Sequence, residues 1–420
     1  MNRTMRLSAA VLGVLFAVTA CNDEKLNRPF SATPVDALFD RYVSMGNSIT
    51  AGFQSGGIND STQSQSYAVL LARAMHAPFF TPLMNKPGCP PPYTNVFTGA
   101  RLTPLGYPPS TGTSCYLRRT QSVPPPFISN TAVPGAEVND VYENVAPRAN
   151  TLTQFFLGGL TQVQMMRKAE PTFVTVWIGN NDVLGAATNS ANGGDSTLVT
   201  PTTVFNARYD SLLDSLGVGA SPQGGVLIGV ANVTAIPFFS QGSTYWAIKN
   251  GLVPGAPPLP ALFTVSNNCA LIASGIPGAR GDSVLVPFPY GAALIGAAQA
   301  GAARNLDCAD TVAQVVVPSE LIKMVGAVTA YNAHISAAAT ARGWAYLSPN
   351  PTLDSLRLLP QPNTVVRAFP LIGQPCSANP FGTAFSCDAV HPSAATHRLI
   401  AQKLREAINT AYTTAIPAIP

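Results

Sequence analysis

The chain has 420 residues, of which 46% are hydrophobic and only 10% charged, with a formal net charge of +4. That balance excludes a disordered chain, which is poor in apolar and rich in charged residues, and the length suits one large domain or two. The basic residues form no cluster of the kind a nucleic-acid surface needs, so no nucleic-acid partner is expected; 38 Pro and 34 Gly foretell long loops and insertions.

The N-terminus carries Arg3 and Arg6, runs on through a mainly apolar stretch over residues 7–20, and closes on Ala20-Cys21. A membrane span takes about 20 apolar residues, so residues 1–20 read as a signal peptide. Val18-Thr19-Ala20-Cys21 resembles the lipobox of bacterial lipoproteins, with Val18 where Leu is more usual. The resemblance implies cleavage before Cys21 and a diacylglycerol on its thiol. Asn22 resembles a residue that permits sorting to the outer membrane, and an anchor of two or three chains holds stably where one is marginal. The plainer reading is an ordinary signal peptide followed by a structural cysteine.

Residues 21–38 are polar, contain Pro29 and Pro34, and read as a tether to a domain over residues 39–420. Residues 42–45 make a short strand, and residues 64–76 a helix with Tyr67, Leu70, Leu71 and Met75 on one face. Residues 172–178 (TFVTVWI) are a β-branched and aromatic run, the mark of a strand covered on both faces, and residues 225–233 repeat it. A helix over 320–342, a last core strand over 344–347 and a closing helix from Pro392 complete the pattern. Alternating strands and helices predict an α/β fold with a parallel sheet, whose ligands bind at the carboxyl ends of the strands. Residues 83–125 and 236–318 break the rhythm and are expected to be insertions with local structure, walls or a lid over a site.

Setting Cys21 aside, the other six of the 7 cysteines suggest disulfides in an exported chain. Proximity favours Cys89 with Cys115, Cys269 with Cys308, and Cys376 with Cys387. Zinc is the rival, but no two of these cysteines stand two to four residues apart and no HExxH helix exists.

Four short segments stand where a sheet would present chemistry: Gly46-Asn47-Ser48-Ile49-Thr50, Ala132-Val133-Pro134-Gly135-Ala136, Gly179-Asn180-Asn181-Asp182 and Asp388-Ala389-Val390-His391-Pro392. A serine becomes a nucleophile when a histidine takes its proton, and that histidine needs a carboxylate to fix its tautomer. Asp388 and His391 suit that pair. The developing oxyanion needs preorganised donors, for which the N–H groups of Ser48 and Gly135 and the amide of Asn181 are candidates. Singly, each segment also reads as an ordinary turn or helix start.

Ser48, Gly135, Asn181 and His391, in that order, resemble the four named residues of the SGNH hydrolases, also called the GDSL lipase/esterase family. GNSIT, AVPGA, GNND and DAVHP are similar to its blocks I, II, III and V. The resemblance implies a three-layer α/β/α sandwich of flavodoxin-like order with about five parallel strands. It also implies hydrolysis of acyl esters through an acyl-serine without cofactor or metal, Ser48 being nucleophile, His391 base and Asp388 its partner. Asn47 replaces the usual aspartate of GDS, which is expected to tune the loop, and Ser48 and Gly135 lie further apart than is usual.

Gly194-Asp195-Ser196 and Gly281-Asp282-Ser283 match the GDS letters better, but neither follows an apolar strand and both come after Asn181, so they read as surface turns. No GxSxG is present. His76, His334 and His397 fit helix-end or packing roles, and Asp182 a cap or a brace of its loop. The reading is an exported, lipid-anchored serine esterase of the cell envelope acting on a lipid or an acylated sugar. The Pro-rich insertions would serve as acyl-chain walls in the first case, and Tyr245 and Trp246 as sugar platforms in the second. Its rivals are a non-catalytic binding or adhesion lipoprotein and an acyltransferase.

Overall fold

A computed structural model describes residues 33–108, 110–116, 118–119, 125–145, 149–218, 222–360 and 364–419. The expected signal peptide and Cys21 lie outside the described residues. Four parallel strands lie in sequential order: β1 (Tyr42–Gly46), β2 (Phe173–Trp177), β3 (Gly224–Ile228) and β4 (Ala345–Leu347). About five were expected. The fifth place, on the outer edge of β1, is held by residues 129–133, reduced to a parallel bridge between Ser44 and Asn130. The Ser44 N–H donates to the Ser129 carbonyl at 2.9 Å and the Val133 N–H to the Gly46 carbonyl at 3.1 Å. Counting that segment, the order is the 2-1-3-4-5 of doubly wound folds.

Successive residues of a strand face opposite sides, and here both sides are covered. Tyr42, Phe173, Trp177, Val226 and Ile228 pack under α1 (Tyr67–Met75) and α6 (Ala394–Tyr412). Val43, Met45, Val174, Val176 and Leu227 pack on α2 (Gln162–Ala169), α4 (Thr202–Leu216) and α5 (Pro318–Ala341), with α3 (Asn181–Thr188) joining that side. Three layers follow, and every residue of β1 to β3 is buried, as expected of strands with no solvated face. Among the described residues no helix is long and apolar enough to cross a membrane.

Local differences from the expected elements have identifiable causes. The helix expected over 64–76 starts at Tyr67 because the Ser66 side chain caps it. The strand expected over 225–233 stops at Ile228. Beyond it the Val230 N–H donates to Asn332 Oδ1 at 2.6 Å and the Val230 carbonyl accepts from Asn332 Nδ2 at 2.9 Å, so α5 takes the groups a ladder would use. The tether gives way to packed chain by Val35, whose N–H donates to the Met75 carbonyl at 3.1 Å; Asp36 caps a short 3-10 turn and Phe39 is buried.

All three expected disulfides are formed, Cys89–Cys115, Cys269–Cys308 and Cys376–Cys387. The segment over 236–318 encloses its own small core of Tyr245, Phe263, Val286, Ile295 and Leu306 around Cys269–Cys308. The segment over 83–125 lies against the chain after β1: the Ile58 N–H donates to the Pro90 carbonyl at 3.0 Å and the Tyr93 N–H to the Ser55 carbonyl at 2.7 Å.

Candidate active site

β1 ends at Gly46, where a side chain would collide with Thr50 and the Trp177 carbonyl, so the chain turns sharply there. Asn47 caps the one-turn helix Ser48–Ala51, its Oδ1 accepting from the Ile49 N–H at 3.1 Å. An aspartate would cap equally well. Ser48 is thereby set at the carboxyl edge of the sheet, 8% exposed, beside the point where the strand order reverses.

The other partners arrive from the far end of the chain. His391 Nε2 lies 2.9 Å from Ser48 Oγ, and His391 Nδ1 lies 2.8 Å from Asp388 Oδ2. Ala389, between them, is buried and left-handed at φ 62°. A non-glycine residue holds that conformation at a cost of about 1–2 kcal/mol, and here it folds the acid and the base onto one side of a turn. The Phe53 ring packs 4.9 Å from the imidazole, fixing its plane.

Asp388 is heavily supplied with donors. Oδ2 also accepts from the Gly56 N–H at 2.6 Å, and Oδ1 accepts from Ser386 Oγ at 3.1 Å and from the Val390 and His391 N–H groups at 2.9 Å. Burial pushes this carboxyl up, but the His391 charge and the hydrogen bonds from the His391 ring and from the His391 and Val390 N–H groups outweigh it and hold it down at about 2. It is an anion at neutral pH, suited to orient the ring and to stabilise an imidazolium.

Gly56 is in turn clamped. Arg101, a buried guanidinium from the 83–125 segment, donates through Nη1 to the Gly56 and Pro91 carbonyls, both at 2.7 Å, and lies 3.7 Å over the Tyr93 ring. The Ser55 N–H donates to Ser386 Oγ at 2.8 Å while the Cys387 N–H donates to Ser55 Oγ at 3.1 Å, next to Cys376–Cys387. Sequence reading found none of Ser55, Gly56, Arg101 or Ser386. Only the residue spacing of Asp388 and His391 gave a signal, and these braces reach them from across the fold.

On the other side, Asn181 opens α3 directly after β2, and its Nδ2 donates to the Ala136 carbonyl at 2.8 Å. That joins it to the turn holding Gly135, which is exposed and left-handed at φ 79°, a conformation that favours glycine. Among the described residues, neither the Ser48 nor the Gly135 N–H has a protein acceptor. Asp182, expected as a brace, spans the same two segments: its Oδ2 accepts from the Val138 N–H at 3.0 Å. Burial, and then Glu137, push its carboxyl up to about 7, against the hydrogen bond from Val138.

Ser48, Asn181 and His391 open into one cleft across the carboxyl ends of the strands. The remaining histidines lie elsewhere. His334 meets Asp210 at 2.8 Å, and His76 ends α1. His397 packs between α6 and α1, its ring accepting from the Tyr67 N–H at 3.3 Å; burial pushes it down to about 3. Gly281-Asp282-Ser283 is a 3-10 turn, and Asp195 caps another through Thr197. Tyr245, offered as a sugar platform, is fully buried in the core of the 236–318 segment and meets Phe369 at 4.9 Å, so it is unavailable to a ligand. Neither it nor Trp246 lines the cleft.

No protein-family model and no curated protein matches the chain. Among solved structures it is similar to an acetylxylan esterase from Geobacillus stearothermophilus, at 11% identity over 88% of this chain and 94% of that one, with a TM-score of 0.38. It is also similar to an extracellular lipase from Streptomyces rimosus, at 13% identity, 88% and 98% coverage and a TM-score of 0.38. A family two carbohydrate esterase from Clostridium thermocellum aligns at 12% identity, 91% and 66% coverage and a TM-score of 0.36. At such low identity it is the geometry of Ser48, His391 and Asp388 that carries the functional reading.

Proposed function

We propose that the protein is a serine ester hydrolase. The observation that carries this is the continuous line from Ser48 Oγ to His391 Nε2 at 2.9 Å and from His391 Nδ1 to Asp388 Oδ2 at 2.8 Å, at the mouth of a cleft. His391 takes the Ser48 proton as Oγ attacks the ester carbonyl. The oxyanion is received by the Ser48 and Gly135 N–H groups and by Asn181 Nδ2, which has two hydrogens and gives one to Ala136. His391 then protonates the leaving alkoxide, and the alcohol departs. Water, deprotonated by the same ring, releases the acid from the acyl-serine.

The chain is read as an exported lipoprotein, held to the envelope through acylated Cys21. Supporting this are the basic and apolar N-terminus and three disulfides, which persist in oxidising compartments. Metabolic labelling with an alkynyl fatty acid should tag the wild type and leave Cys21→Ser untagged; equal labelling of both would remove the anchor.

Hydrolysis of p-nitrophenyl esters by wild type and Ser48→Ala tests the enzymatic reading. Turnover lost with the serine supports it, and turnover surviving Ser48→Ala excludes it.

A further inference from the structure

The cleft is not uniform along its length. At the Ser48 end it is lined by Asn47, Trp177 and Asn180, each at least nine-tenths buried. Among the described residues Asn47 Nδ2, Trp177 Nε1 and Asn180 Oδ1 have no hydrogen-bond partner. These side chains give the wall behind that end of the cleft a polar character. Away from Ser48 the lining is mainly aliphatic, with Ile228 and Leu347 closing β3 and β4 and Val233 and Ile236 following β3, alongside Thr396 and Lys403. Three strand spacings separate β1 from β4, a distance of roughly 14 Å.

The far end has a roof. The helix Asn350–Arg357 has no buried residue, yet it turns Leu353 and Leu356, three apart and so on one face, into the cleft. Ser348 and Thr352 also line that end, fewer polar partners than the several hydroxyl groups of a sugar ring would demand.

We propose that this cleft is an acyl-chain channel, with the ester group at the polar end and a medium-length aliphatic chain, octanoyl or longer, lying under Leu353 and Leu356. These two leucines set the chain-length preference. The assignment rests on the serine esterase reading for its direction, and its test separates the two.

Ser48→Ala protein titrated with decanoate by calorimetry reads the channel without turnover. Binding that weakens at least tenfold when Leu353→Asp and Leu356→Asp are added supports the channel, since each leucine buried against a chain contributes about tenfold or more. No decanoate binding, or binding indifferent to both changes, overturns it. In turnover, kcat/KM should rise from acetyl to octanoyl p-nitrophenyl ester. In Leu353→Asp and Leu356→Asp it should fall about tenfold for octanoyl while staying within about twofold for acetyl. Leu347→Phe, which fills the channel from a half-buried position, should move the optimum to shorter chains. Serine-dependent turnover best on acetyl ester overturns the channel and leaves the esterase standing. Decanoate bound by Ser48→Ala with no ester turned over by wild type leaves the channel and removes the esterase.

Discussion

The two sides of the site are each organised around a buried aspartate, and the two differ in kind. Asp388, on the acid–base side, is met by a histidine ring, three backbone N–H groups and a hydroxyl, and it is held at about 2. Asp182, on the oxyanion side, receives the Val138 N–H, leaves Oδ1 without a partner among the described residues, and is pushed up to about 7. Burial acts on both in the same direction; what separates them is the neighbouring charge, His391 beside Asp388 and Glu137 near Asp182, together with the number of donors. One arm is built to keep a charge and the other to hold two backbone segments together.

The difference can be broken most forcefully at Asp388. Asp388→Asn keeps the shape of the turn but removes the acceptor that fixes the His391 tautomer, and kcat on a p-nitrophenyl ester should fall by on the order of 10⁴-fold with the fold retained by circular dichroism. A loss under tenfold would deny it the orienting role. On the other arm, Asn181→Ala removes a single donor, so kcat should fall by about 10²–10³-fold with KM little changed; a rise in KM alone would place Asn181 in ground-state binding.

Arg101 tests whether the acid arm depends on the inserted segment. Arg101→Ala frees the Gly56 carbonyl, lets the loop donating to Asp388 shift, and should lower kcat roughly tenfold or more at unchanged KM. A lower melting temperature with unchanged kcat would make it a purely structural clamp.

The smallest effect is on pH dependence. A carboxyl raised in the native state stabilises it below the unfolded value of about 4, and that contribution is lost as pH rises towards about 7. Asp182→Asn should therefore gain melting temperature relative to wild type on going from pH 5 to pH 8, by a few degrees. A constant difference would show that Asp182 is not protonated in the fold. Asp388 has the opposite sign, its contribution being present above about pH 4 and lost as pH falls towards about 2.

What was legible in the chain follows this division. Strands buried on both faces announce themselves as apolar runs, so β1 and β2 and the motifs after them stand at the places their pattern implied. The disulfides followed from pairing neighbours. The fifth strand place was hidden because residues 129–133 (SNTAV) are mostly polar or small, and their pairing is set by β1 rather than by their own pattern. Arg101 and Gly56 were hidden for a different reason: a guanidinium in a Pro-rich loop and an N–H in a glycine turn carry no periodic signal, and only tertiary folding brings them to Asp388. Tyr245 misled because an aromatic residue in an insertion reads as a platform until that insertion is seen to have a core of its own.

The central claim is that Ser48 is a nucleophile activated by His391. Incubation with an alkyl fluorophosphonate, followed by peptide mass spectrometry, tests it without assuming a substrate. One adduct per chain on Ser48, suppressed in His391→Ala, is the predicted result; no adduct on the folded protein, or an adduct on another serine, would contradict it.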